Sequence, residues 1–158
     1  MANFLRTILI NSLMTVTSGK AEIVIGIIDS PVDASHPDLQ GARLQIISPS
    51  KAGCEVRQSP ACQHGTFIAG MICAKRGSHA PTISLDCTVL IRSIFCEIPS
   101  SGQLCPEVTP QERASAIIKT IEAGARVINL SLGLSTHAPF SHLTVGQTVV
   151  DNVELRKM

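Results

Sequence analysis

The chain has no tryptophan and no tyrosine, and only four phenylalanines among its 158 residues. Its formal charge is only +1, with acidic and basic residues interspersed. It therefore lacks both an aromatic platform for bases and an electrostatic footprint for phosphates, so nucleic acid is excluded as a partner. No apolar run reaches the roughly 20 residues needed to cross a bilayer, which excludes a membrane span. No Gly-rich phosphate loop supports a small nucleotide-binding domain. The six cysteines form no C-x-x-C, and there is no C-x-x-C-H or H-E-x-x-H, so the spacing does not make a zinc site. Internal repeats and low-complexity blocks are also missing.

What is present suits one folded domain. Hydrophobic residues make up 44% of the chain and mean hydropathy is +0.28, which argues against disorder. Cys73, Cys87 and Cys96 lie inside apolar segments, where a thiol packs as a small hydrophobe. Reduced core cysteines are expected, with a disulfide framework as the alternative. A cytoplasmic location is expected, with secretion as the alternative. Residues 1–20 lack a small-residue cleavage site and read as an N-terminal helix rather than a signal peptide.

Ile23 to Ile28 is an apolar run without a polar face, as in a strand buried on both sides of a parallel sheet. It ends on Asp29 and a turn cluster, Ser30-Pro31-Val32-Asp33. Carboxyl ends of strands are where open parallel sheets gather their chemistry, so Asp29 is a candidate acid. Ala42 to Ile47 reads as a second strand, and 48–63 as a Ser/Pro/Gly/Cys-rich loop. His64 opens a helix, HGTFIAGMICAK, with Phe67, Ile68, Met71 and Ile72 at helical spacing. Ile83 to Phe95 holds a third strand, and 97–108 is a loop. Thr109, Pro110 and Glu112 form a T-x-x-E capping box for the next helix. Its apolar stripe is Ala114, Ile117, Ile118 and Ile121, and Gly124 stops it. Arg126 to Leu132 is a fourth strand, read as buried on both faces. Alternating strands and helices imply an α/β fold, a parallel sheet with crossover helices. Residues 1–20 are an N-terminal extension, 21–135 the partial domain, and 136–158 a poorly defined tail.

Three segments then fall into an order: Asp29 ending a strand, His64 in HGTFIAG, and Ser131-Leu132-Gly133 ending a later strand. The sequence D-S-x-x-D-x-x-H-P-D-L and the H-G-T-x-x-A-G stretch resemble the subtilisin-like serine peptidases, whose residues run Asp, His, Ser. The resemblance covers about Ile23 to Gly133. It implies a subtilisin-like fold, His64 as general base and Asp29 as the acid that fixes its tautomer. Gly65 permits close approach of neighbouring backbone. Ser131, Leu132 and Gly133 resemble the edge on which an extended peptide adds a strand. The implied partner is a peptide or precursor-protein substrate. Asp38 matches a calcium carboxylate of some members, but 75–81 does not resemble the loop that supplies the other ligands. No metal and no cofactor is therefore expected. His36, His79, His137 and His142 are expected at surfaces or turns.

The departures carry information. Pro31 stands where most members have Gly, and Phe67 where many have a second His. With CTVLIRSIF and AGARVINLSL, these features resemble the subtilases that cleave precursors of ribosomal peptides, the cyanobactin maturation proteases. The family's nucleophile motif, Gly-Thr-Ser-x-Ala, does not occur, nor does the Ala-Gly-Asn context of its oxyanion residue. A truncated domain with Asp29 and His64 but no nucleophile is expected. It would be inactive alone and would need a second chain to complete it. The alternative is a non-catalytic peptide-binding module derived from the family. In subtilisin itself, losing the nucleophile lowers turnover about 10⁶-fold.

Overall fold

The computed structural model describes residues 10–48, 53–80, 82–95, 97, 108–131, 133–134 and 143–144. Its elements are α1 (Ile10–Val16), β1 (Val24–Asp29), a 3-10 turn (Pro37–Leu39), β2 (Arg43–Ile46), α2 (Pro60–Cys73), β3 (Thr88–Ser93), α3 (Pro110–Glu122) and β4 (Val127–Leu130). A two-residue pair, β5 (Gly133–Leu134) and β6 (Leu143–Thr144), follows. Four strands form one sheet in the order β2-β3-β1-β4. Every pair in it is parallel. This is the α/β architecture expected from alternating strands and helices. The described part of the expected N-terminal helix is α1.

β1 is the middle of the molecule. It pairs with β3 on one side, from Val24↔Thr88 to Asp29↔Ser93. It pairs with β4 on the other, from Ile25↔Val127 to Ile28↔Leu130. Its last five residues are buried, as its unbroken apolar run requires.

α2 and α3 cover opposite faces. Ile27, Val89 and Ile91 join Ala69 and Cys73 of α2 in one cluster. On the other face, a Cβ on Gly26 would collide with the side chain of Thr120 in α3. The absent side chain lets α3 rest directly on β1. The β2-α2-β3 and β3-α3-β4 connections move across the sheet in the same sense with their helices on opposite faces. They are therefore of opposite hand, and one breaks the right-handed rule for such crossovers.

Several expected features are corrected. α2 does not begin at His64. Ser59 caps it, accepting the Cys62 N–H, and Pro60 takes the first turn, so His64 is the fifth helical residue. The Ser-Pro start signal was hidden in a stretch read as loop. The core face of α2 is made of small residues, Ala61, Cys62, Gly65, Ala69 and Cys73, while Phe67 is exposed. α3 keeps its capping box, but it buries Ala116 and Thr120 and turns Ile118 and Ile121 outward. A helix pressed onto a glycine needs small residues at the contact, which overrides the apolar stripe. β4 is not buried on both faces: Val127 and Leu130 are exposed, because it ends the described sheet. The cysteines are not all reduced, since Cys54 and Cys62 form a disulfide with Cα atoms 5.5 Å apart. Only the fold-back of loop 53–59 onto α2 brings them together. Cys73 and Cys87 are free and buried. Cys96 and Cys105 lie outside the described residues.

Candidate active site

Asp29 closes β1 at its carboxyl end, paired with Ser93 of β3. Its side chain is fully buried. Oδ1 accepts the Ser30 N–H at 2.6 Å, and its carbonyl accepts the Ile94 N–H at 3.0 Å. Pairing with Ser93 of β3 and the Ser30 N–H leave this carboxylate little freedom.

His64 arrives from α2, and Gly65 decides how closely. A Cβ at Gly65 would lie 2.6 Å from the Ser30 carbonyl oxygen and closer still to that of Pro31. Glycine therefore lets the helix rest on the turn that follows Asp29. Thr66 fastens the same contact, its Oγ1 accepting the Asp33 N–H at 2.9 Å. The result sets His64 Nε2 3.3 Å from Asp29 Oδ1. The distance is that of an ion pair, but the alignment falls short of a hydrogen bond. Nε2, Asp29 Oδ2 and Ser30 Oγ are buried with no hydrogen-bond partner among the described residues.

The Asp29 carboxylate holds the His64 imidazole above the ordinary histidine range, against burial, which pushes the other way. The ring is one-third exposed. In the general serine-hydrolase arrangement the acid takes Nδ1 and leaves Nε2 for the hydroxyl. Here Nε2 is the ring nitrogen set against the acid. A carboxylate-held imidazole at the mouth of a sheet can take a proton from a hydroxyl and stabilise the cation that forms.

The other sequence candidates are placed as follows. Ser131 follows β4, and its Oγ accepts from Asn129 Nδ2 at 2.8 Å. Leu132 lies outside the described residues. Gly133 belongs to β5 and pairs with Thr144 of β6. Asp38 meets a cation from its own chain, with Lys75 Nζ 3.8 Å from its Oδ1. His36 and His79 are exposed, while His137 and His142 lie outside the described residues. The one cluster of potential metal-binding groups among the described residues is Cys54, Cys62 and Glu97. The disulfide removes its two thiolates as ligands.

A cavity of about 550 Å³ opens beside α2, lined by Asp33, His36, Thr66, Phe67 and His79 among others. Neither Asp29 nor His64 lines it, so its volume does not mark the acid–base pair. Glu97 was missed by sequence reasoning altogether. A lone acid in a Pro/Ser/Gly loop carries no signal, yet its carboxylate binds the segment that starts α2.

The profile of the subtilase family matches residues 20–154. A thermophilic serine proteinase of Bacillus sp. (strain AK1) is 30% identical over 126 residues, covering 77% of this chain and 29% of that protein. A mutant protease domain of PatA is 30% identical with a TM-score of 0.63, over 77% of this chain and 43% of that one. The prenylagaramide maturation protease PagA is 26% identical with a TM-score of 0.60, over 82% and 42%. The chain thus spans less than half the length of each of these relatives.

Proposed function

We propose, from the premise that the chain belongs to the subtilase family, that it supplies the acid and base of a subtilisin-like serine endopeptidase. The observation that carries this reading is the contact of His64 with Asp29 at the carboxyl end of the central strand. His64 is the base that takes the proton of a serine hydroxyl, and Asp29 orients the ring and stabilises its cation. The nucleophile comes from polypeptide outside these residues, since no Gly-Thr-Ser-x-Ala occurs among them. The substrate is an extended peptide laid along 131–133, a mode in which main-chain pairing gives most of the grip. Two similar proteins are maturation proteases by name, which supports a precursor peptide as that substrate.

The 158 residues alone then cleave no peptide. The missing nucleophile costs about 10⁶ in rate by the subtilisin measure, or roughly 8 kcal/mol. The test is incubation with a peptide library and an active-site serine reagent, with and without a polypeptide carrying the Gly-Thr-Ser-x-Ala part of a subtilase domain. Cleavage is expected only with that addition, and it should vanish in His64→Ala. Labelling or cleavage by the chain alone would refute the reading. The absent motif also favours a second reading, a peptide-binding module without chemistry. That reading gains if the complemented chain binds peptides and never cleaves them.

A further inference from the structure

Glu97 lies just beyond β3 and is 8% exposed. A carboxylate out of water is costly unless its lone pairs are filled. One oxygen accepts the N–H of Glu55 at 2.7 Å and that of Val56 at 3.0 Å. The other accepts the Ser59 hydroxyl. Ser59 is the N-cap of α2, and its Oγ in turn accepts the Cys62 N–H at 3.1 Å. The Cys54–Cys62 disulfide ties the same loop to the same turn. All three donors to Glu97 lie in residues 55–59, the segment that leads into α2 ahead of His64. β3, which Glu97 follows, pairs with β1 through Ser93↔Asp29. The carboxylate therefore connects the strand pair that holds the acid to the helix start that carries the base.

We infer that Glu97 is a positioning residue for His64, setting the Asp29–His64 separation by fastening Ser59 and residues 55–56 to the end of β3. The inference rests on the proposed role of His64 as base. Burial pushes the Glu97 carboxyl up, but the hydrogen bonds from Ser59, Val56 and Glu55 outweigh it and hold the group below its ordinary range. An ionised acceptor at neutral pH is what such a clamp needs. Glu97 touches neither ring nor substrate edge, so its effect on His64 is transmitted through the helix.

The experiment is an NMR titration of the histidine rings in the 158-residue chain, with His64 assigned from His64→Gln. In the unmodified chain His64 should titrate above 6.5, and Asp29→Asn should lower it, since burial then acts alone. Glu97→Ala should move it most of the same way. Glu97→Gln, which keeps one carbonyl oxygen, should move it less. Circular dichroism checks that each variant stays folded, and Glu97→Gln carries the test if Glu97→Ala does not. A folded Glu97 variant with unchanged His64 titration, beside an effective Asp29→Asn, overturns the inference and leaves the acid–base pair standing. Unfolding of both Glu97 variants also overturns it, reducing Glu97 to a stability residue. An unmodified chain with ordinary His64 titration, unmoved by Asp29→Asn, overturns the acid–base reading itself.

Discussion

Asp29 and His64 are brought together with the help of two neighbours that carry no charge. Ser30 fills one carboxylate lone pair, and Gly65 lets backbone meet backbone. Replacing Gly65 by Ala drives a methyl into the carbonyl oxygens of Ser30 and Pro31, and backbone there has little room to yield. The expected loss is about 1–3 kcal/mol, as for overpacking elsewhere, read as a lower urea midpoint. The His64 titration should fall toward its ordinary range in the same variant, because the helix is lifted from Asp29. The pH dependence has a definite sign. His64 is raised in the folded chain, so its contribution is complete below the unfolded value near 6.5 and is lost as pH rises through the folded value. Melting temperatures across pH 6 to 9 should show this fall, and Asp29→Asn should flatten it. Glu97 works the other way. Its folded value is lowered from about 4.5, so its contribution holds above that pH and is lost as pH falls through the folded value. Both catalytic candidates were legible because each sits in a dense local motif. Glu97 was not, because its partners at 55–59 lie about 40 positions earlier in the chain.

Individual elements were legible in proportion to how local their signals are. The α3 capping box is a four-residue pattern, and it forms: the Thr109 Oγ1 accepts the Glu112 N–H at 3.2 Å, and the Glu112 carboxylate accepts the Thr109 N–H at 2.9 Å. Thr109→Ala should cost about 1 kcal/mol, as loss of such caps does, measured by thermal unfolding. The facing of that helix was not local. Thr120 is turned inward by Gly26, and its hydroxyl is satisfied within the helix by the Ala116 carbonyl at 2.7 Å. An apolar stripe marks only which residues prefer burial. The partner surface decides which of them obtain it. α2 shows the same limit, since its glycine and small residues face the sheet and Phe67 faces outward.

At the scale of the whole molecule, the described surface is unfinished along one side. β4 ends the described sheet, and Val127 and Leu130 on it are exposed together with Ile118 and Ile121 of α3. Exposed apolar side chains clustered along a strand invite association. Concentration-dependent association of the 158-residue chain is therefore expected in light scattering. Val127→Lys with Leu130→Lys should reduce it, as charge does on natural sheet edges. A chain that stays monomeric at every concentration would contradict this. No helix among the described residues is long and apolar enough to cross a membrane.

The residues alone determined the parallel α/β plan, the buried central strand, and the two motifs whose Asp and His mark the family. Each of these follows from periodicity or short-range pattern. Tertiary structure alone decided that α2 and α3 lie on opposite faces of the sheet and that Glu97 grips the helix start. These depend on which distant segments meet, and close packing rather than local preference makes that choice.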